Sequence, residues 1–462
     1  MFVGRERELE LLEREYKREG TSFVIIYGRR RVGKTSLIKE FIKNKPSLYF
    51  LATEEIEEEN MKNFQWKIVE YFNLDLFKDI TLKNWEKIFQ LIPDTKDKLI
   101  LVIDEFQYLA FVNKAVTSIF QKIWDEILSK KNIMLILCGS YISMMEDLTL
   151  SYNSPLFGRR TAQIKLDPLN FFEAKLLYNQ ENNEKNILLY SITGGTPKYI
   201  EMFDVKSPDL FSAISENILK KGSFFYEEAE FLLEKEVEKN ITYFSILKTI
   251  ALGNHKIGKI ASTLSLPVSS ISKYLDTLQK LDIVERIVPV TEENPEKNKK
   301  GLYYIKDNFL NFWFKFVFPY KSYLEIDKTD YVLKMIKERF YENHVSLVFE
   351  EICRQYLLYK SPFVFSKIGK WWDGDEEIDI VGINQEDKNY LVGECKFTVK
   401  PVSLELFFHL KEKAKKIKIN GKNIINFNTH FAFFSKSGFT KDFIDYAKEN
   451  KNIHLFTIDD IN

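Results

Sequence analysis

Eight consecutive residues, Gly28, Arg29, Arg30, Arg31, Val32, Gly33, Lys34 and Thr35, fit the spacing GxxxxGK[ST]. The glycines let the backbone wrap a phosphate with its N–H groups pointing inward. A helix opening at Lys34, with Ser36 in its first turn, adds the positive end of its dipole. Lys34 can reach the β- and γ-phosphates of a nucleoside triphosphate, and Thr35 can ligate Mg2+. Asp104-Glu105 closes the apolar run LILVI at 99–103. An Asp at that place suits Mg2+, often through water, and the adjacent Glu can polarise an attacking water. Ser140 follows the apolar run IMLILC and stands where a hydroxyl can sense the γ-phosphate. Arg159, in LFGRR, can stabilise transition-state charge, either in cis or across the interface of a homo-oligomer. A surface pair of arginines is the alternative for Arg159-Arg160.

A second constellation lies near the C-terminal end. Asp379 sits in EEIDIVGIN, and Glu394-Cys395-Lys396 in KNYLVGECKF. Residues two apart on a strand share a face, so Glu394 and Lys396 point together. A hairpin brings Asp379 beside them, and Glu350 on the preceding helix adds a third carboxylate. Oxygen ligands of this kind suit Mg2+ or Mn2+. Lys396 would orient or deprotonate water for attack on a phosphodiester. A solvated surface pair is the other reading of Glu394 and Lys396.

The elements that must position these residues follow from the hydrophobic pattern. Residues 5–19 read as a helix, 23–28 as a buried strand, 34–44 as a helix, and 47–53, 98–105 and 132–140 as strands, with a helix over 114–130. Strands alternating with helices imply a parallel sheet covered on both faces, with its site at the carboxyl edge. Residues 168–238 are helical without a strand, which suggests a lid. Helices over 241–253, 256–266 and 269–281, then strands 283–290 and 302–307, are the parts of a winged helix-turn-helix. Its second helix offers Ser269, Ser270, Ser272 and Lys273 to DNA, and its wing loop carries Lys297, Lys299 and Lys300. An internal packing role is nearly as well supported, because Glu292, Glu293 and Glu296 blunt the wing. An aromatic helical stretch over 311–340 precedes an α/β tail with a helix at 343–358 and strands at 376–384, 388–397, 432–435 and 454–458. Trp371, Trp372 and the run 309–320 read as packing. The expected division is 1–167 ATPase-like core, 168–238 lid, 239–310 winged helix, 311–340 connector and 341–462 nuclease-like tail.

Length and composition bound the rest. The chain has 462 residues, 45% of them apolar and 29% charged, so a folded chain of about three domains is expected. Lys and Arg total 67 and so do Asp and Glu, which argues against a polyanion coat but leaves local basic faces open. Three scattered cysteines build no disulfide framework, and five histidines show no metal spacing. A charged N-terminus and the lack of a membrane-length apolar run lead to the expectation of a cytoplasmic protein without membrane contact. Abundant Lys, Glu, Ile and Phe with sparse Gln resemble a thermophile's usage.

The segments FVGRERELELL, GRRRVGKTSLI, LILVIDEFQYL, LILCGSYISMM, PLFGRR and TGGTPKYI occur in that order over residues 2–200. They resemble the archaeal ATPase family within the AAA+/STAND group of P-loop NTPases. The resemblance implies ATP as ligand, Mg2+ as cofactor and a contact of Pro197, in Gly195-Thr196-Pro197, with the nucleotide base region. It also implies ATP used as a conformational switch with slow turnover. FEE, EEIDIVGI and LVGECKF, over about 345–440, resemble the PD-(D/E)xK nuclease superfamily and the domain of unknown function commonly fused to archaeal ATPases. That likeness implies metal-ligand roles for Glu350, Asp379 and Glu394 and a catalytic Lys396, although no Pro precedes the Asp and Glu351 competes with Glu350. The leading expectation is an ATP-driven or ATP-switched protein that binds DNA. The rivals are a signalling switch without nucleic acid and an Mg2+-dependent nuclease gated by ATP.

Overall fold

The computed structural model describes residues 2–461 except 179, 181, 208, 238–240, 299 and 420. Lys299 of the expected wing tip therefore lies outside the described residues, as does the Lys297 side chain. The chain forms two compact units, one of residues 1–168 with 196–198 and 280–282, the other of the remainder. The segments expected as lid, wing, connector and tail thus fall, apart from those short stretches, in a single unit.

The first unit is built on β1 (Ser22–Tyr27), β2 (Ser47–Leu51), β3 (Leu99–Asp104), β4 (Ile133–Gly139) and β5 (Ala162–Lys165). Their order is β2-β3-β4-β1-β5 and every pair is parallel. β1, β3 and β4 are buried at every position, as a sheet covered on both faces requires. Alternate residues divide between two cores. Phe23, Ile25, Leu101, Ile103 and Leu135 pack on one side, and Val24, Ile26, Ile100, Val102 and Ile136 on the other. Helices α1 (Glu6–Lys17), α2 (Lys34–Ile42), α3 (Glu57–Phe72) and α4 (Val116–Glu126) supply the partners. The hydrophobic pattern did not announce β5, a strand of four residues with only Ile164 fully buried.

In the second unit, α5 (Ile241–Ala251), α6 (Ile257–Leu264) and α7 (Val268–Lys280) precede an antiparallel hairpin of β6 (Val284–Ile287) and β7 (Leu302–Ile305). Three helices followed by a hairpin are the order read from the sequence for this segment. Arg286 closes the loop between the strands by donating to the carbonyls of Pro295, at 2.8 Å, and Asn298. The aromatic helix α8 (Asn308–Phe316) buries Phe309, Phe312, Trp313, Phe314 and Phe316, which is packing, as the sequence suggested. The tail adds α9 (Ser346–Tyr359) and a mixed sheet of β8 (Lys367–Asp373), β9 (Glu376–Asn384), β10 (Asn389–Lys396), β11 (Asn428–Ser435) and β12 (Ile453–Thr457), in the order β12-β11-β10-β9-β8. α10 (Glu405–Ala414) and α11 (Lys441–Glu449) complete it. β8, missed in the sequence, runs through Trp371 and Trp372, both buried. His430 and His454, from neighbouring strands, stack with Nδ1 and Nε2 2.9 Å apart, a pairing that sequence spacing did not show.

Lys315 on α8 donates to the Asn343 carbonyl at 2.5 Å and lines a cavity of about 400 Å³. Among the described residues no carboxylate pairs with it, and burial alone pushes its ammonium down to about 8. A lysine disfavoured in its charged form when folded carries its full penalty below that value and none above its unfolded value near 10.4. Lys315→Met should therefore unfold at a higher temperature than wild type at pH 7. Its advantage should shrink as pH rises from about 8 to about 10.4, read from thermal unfolding curves across that range.

Candidate functional site: the carboxyl edge of the parallel sheet

The loop between β1 and α2 turns on two glycines. Gly33 adopts φ 96°, a left-handed conformation that glycine supplies without strain, and Arg31 shares that region at φ 72°. A Cβ on Gly28 would run into the Leu166 carbonyl oxygen, so the backbone after β1 leaves no room for a side chain beside the chain leaving β5. Arg5 fastens the same corner, donating from Nη2 to Val32 O at 3.2 Å and to Asp167 O at 2.6 Å. Arg29 is buried and Val32 packs into the core. Ser36 is exposed. The Cγ of Pro197 lies 3.7 Å from where a Gly33 Cβ would stand, which puts this proline against the phosphate loop.

Lys34 is buried, and its Nζ donates to the carbonyls of Gly28 and Arg29, each at 2.9 Å. Burial pushes its ammonium below the ordinary value, while Cys138, Glu105 and Asp104 act in the opposite sense. Asp104, 1% exposed, ends β3. Its Oδ2 accepts from Thr35 Oγ1 at 2.9 Å and Tyr49 OH at 2.6 Å, and its Oδ1 from the Glu105 N–H at 2.9 Å. Tyr49 is a site residue that the sequence reading missed. Its signal was a polar-tipped residue near the end of a short strand beside the Asp.

Glu105 stands at φ 55°, a left-handed conformation that costs a non-glycine residue roughly 1–3 kcal/mol and that clusters at functional sites. Its Oε2 accepts from Ser140 Oγ at 2.6 Å and from Gln107 Nε2. Arg30 donates from Nη2 to the hydroxyls of Tyr108, at 3.0 Å, and Tyr141, at 3.2 Å, one residue from each of the segments that follow β3 and β4. The structure gathers Lys34, Thr35, Asp104, Glu105 and Ser140 at one edge, together with Tyr49, Gln107, Tyr108 and Tyr141. Arg30 Nε and Gln107 Oε1 are buried there without a hydrogen-bond partner among the described residues, which fits a ligand with acceptors and donors of its own. Thr35 and Asp104 give Mg2+ the adjacent hydroxyl and carboxylate that it prefers.

Arg159 departs from expectation. Its Nε and Nη2 grip Asp125 at 2.9 and 2.7 Å, and its Nη1 donates to the Pro155 carbonyl at 2.7 Å. Its bonds go to none of the phosphate-edge residues, because a bidentate carboxylate on α4 takes the guanidinium first.

The tail cluster is partly assembled. β9 bulges opposite Lys370: Gly369 pairs with Val381 and Trp371 with Ile378, which leaves Asp379 and Ile380 facing a single residue. Such a bulge re-aims side chains. Asp379 Oδ2 accepts the Cys395 N–H at 2.8 Å, and Arg354 Nη1 satisfies the Asp379 carbonyl at 3.1 Å. Burial first, then Glu350 and Glu394, push the Asp379 carboxyl up to about 8. Glu351 pairs with Arg354 at 2.7 Å, so Glu350 is the helix carboxylate that faces the cluster. Lys396 pairs with Glu394 at 2.7 Å. Burial alone would lower this ammonium, but Glu394 and Asp379 hold it above its ordinary value, which suits a fixed positive charge better than a base that takes a proton from water. The metal expectation needs correction. Among the described residues no three His, Cys, Asp or Glu side chains converge to hold an ion. The reason is local: the Lys370 ammonium contacts Glu350, Lys396 holds Glu394, and a backbone N–H holds Asp379.

A parallel sheet with a glycine-bounded phosphate loop, a buried Thr35–Asp104 pair and a Glu105–Ser140 pair at one edge defines a P-loop ATPase domain. Residues 2–203 match the family described as an ATPase domain predominantly from Archaea, and residues 313–417 the family described as archaeal and bacterial proteins of unknown function. The chain is 35% identical, over the whole of both chains, to the uncharacterized protein MJECL04 of Methanocaldococcus jannaschii. It belongs to this archaeal ATPase family. It is also 58% identical over 45 residues, 10% of this chain and 76% of the other, to an uncharacterized ATP-binding protein of the same organism. Among solved structures it is similar in fold to the Walker-type ATPase paby2304 of Pyrococcus abyssi, with TM-score 0.50 and 21% identity, over 68% of this chain and 96% of that one. No described helix is long and apolar enough to cross a membrane.

The Gly28 contact makes a direct forecast. Any Cβ there meets backbone rather than a movable side chain, so Gly28→Ala should cost at least ~2 kcal/mol, measured as the shift in denaturant midpoint. Gly158→Ala is the matched control, since nothing stands within 4 Å of its Cβ position. Because φ there is +77°, the control should cost only the backbone strain, on the order of 1 kcal/mol.

Proposed function

We propose that the chain binds ATP with Mg2+ at the phosphate loop and uses it as a slowly turning switch for a nucleic-acid-binding second unit. The observation that carries the ATP half is the grip on Glu105. Ser140 and Gln107 both donate to the oxygen that would polarise an attacking water, so Glu105 is committed to protein partners. A γ-phosphate near Ser140 would compete for that hydroxyl and so be sensed by the ends of β3 and β4. Thr35 and Asp104 would hold Mg2+, which would supply positive charge beside the phosphates. Lys34 would exchange its loop carbonyls for phosphate oxygens. Pro197 against Gly33 gives the switch a mechanical contact with the loop.

Support for the nucleic-acid half comes from the winged-helix order and its lysines. Lys256, Lys259 and Lys300 line one groove with Ser262, Gly258 and Gly301. Lys300 is half neutralised by Asp373 at 2.9 Å, so the expected contact is to phosphate backbone, weak and non-specific.

Lys34→Ala should abolish ATP binding measured by calorimetry. Glu105→Gln should keep binding within a few-fold while lowering turnover at least ~100-fold in a phosphate-release assay. A Lys34→Ala protein with undiminished ATP affinity would end the ATP reading. Duplex DNA should bind with an affinity that falls steeply as salt rises, and Lys256→Ala with Lys259→Ala should weaken it and flatten the salt slope. DNA binding that is absent at low salt would leave the rival, a signalling switch without nucleic acid.

A further inference from the structure

The tail's carboxylates are held by an internal cation. The Lys370 side chain is 7% exposed; its Nζ contacts Glu350 Oε2 and lies 3.3 Å from Glu377 Oε1. It also sits 6.0 Å from the centre of the Tyr304 ring, on β7 of the winged helix. Its own backbone is fastened to the same region: the Lys370 carbonyl accepts the Val290 N–H at 2.9 Å, and the Val290 Cβ stands 3.3 Å from where a Gly369 Cβ would be. Glu394, which with Glu350 acts on Asp379, has its Oε2 buried with no hydrogen-bond partner among the described residues.

We infer that Lys370 is the built-in counter-cation of this cluster, occupying Glu350 so that a divalent ion binds among Glu350, Asp379 and Glu394 only when the lysine is displaced. The inference rests on the reading of these three carboxylates as nuclease-like. The charge balance supports it. Lys370 meets Glu350 and Glu377 while Lys396 meets Glu394, so removing Lys370 leaves three glutamates with a single ammonium group among them. A buried carboxylate stripped of its cation is costly until another cation replaces it. Lysine, as a compact point charge on a flexible stem, is suited to leave in a way that a bidentate arginine is not.

The test is Mn2+ binding to the nucleotide-free full-length chain, followed by the loss of the free-ion paramagnetic resonance signal. Lys370→Met and Lys370→Gln should bind one Mn2+ at least ~10-fold more tightly than wild type, while Lys370→Arg should not. Adding Glu394→Gln to either neutral variant should remove the gain. Equal binding by wild type and the neutral variants, or a gain that survives Glu394→Gln, would overturn the inference. Circular dichroism and thermal unfolding establish that each variant is folded. Should both neutral variants unfold, a stoichiometric Mn2+ site in the wild type that Glu394→Gln removes refutes the counter-cation role, and a wild type without such a site upholds it. A nicking assay on plasmid DNA, run on the same proteins, separates the two ideas. Gained Mn2+ without cleavage keeps the counter-cation and removes the nuclease reading. Mn2+-dependent cleavage by wild type with a site already tight does the reverse.

Discussion

A carboxylate with 1% exposure has to be solvated by the protein itself, and the whole phosphate edge is arranged around meeting that demand at Asp104. Its three donors come from three places: Thr35 from the first turn of α2, Tyr49 from β2 and the Glu105 N–H from the turn after β3. They meet only if β1, β2 and β3 end level. The parallel register enforces this, pairing Leu51 with Asp104 and Ile103 with Leu137, while Tyr27 pairs with Gly139 across the next interface. Continuous apolar strands are needed to bury such a sheet, and the close passage of Gly28 by Leu166 fixes how the loop leaves it. Sequence, register and site are therefore one constraint seen at three scales.

Residues whose chemistry is local were legible from the sequence. Gly33, Lys34 and Thr35 lie within three positions, Asp104 and Glu105 are adjacent, and both groups follow apolar runs long enough to read as strands. Asp379, Glu394 and Lys396 were legible because a hairpin with a short turn keeps its partners close in sequence. What escaped depended on distant pairs. Arg159 looked available for phosphate because nothing near it announces Asp125, 34 positions away. Tyr49 has 55 positions between it and Asp104, and His430 has 24 between it and His454. Lys370 lay inside a strand that was not recognised, yet a single lysine between Gly369 and two tryptophans, in a segment otherwise read as packing, was a signal that a buried charge needed a partner.

Neutrality of the chain takes on a structural meaning in the second unit. Many of its charges are cancelled pairwise: Lys300 by Asp373, Lys321 by Glu230, Lys370 by Glu350 and Lys396 by Glu394. Among the described residues no carboxylate pairs with Lys315. It has a carbonyl for a partner and is correspondingly shifted toward its neutral form. Local cancellation explains why the total charge did not announce a basic face, and why the lysines that remain in the groove beside Gly258 and Gly301 matter more than the net count.

The two carboxylate sites of this chain are solvated by different means, and that difference decides what each can attract. At Asp104 the hydrogen bonds come from two hydroxyls and an amide, all formally neutral, so it is held in position without an ion pair among the described residues. In the tail the donors to Glu350 and Glu394 are ammonium groups, so the charge a metal would seek has been spent inside the protein. Fold resemblance treats the two as equivalent acidic sites. The counter-charges separate them: the first is held by neutral donors, and on the counter-cation reading the second must lose a lysine before its carboxylates can act as ligands.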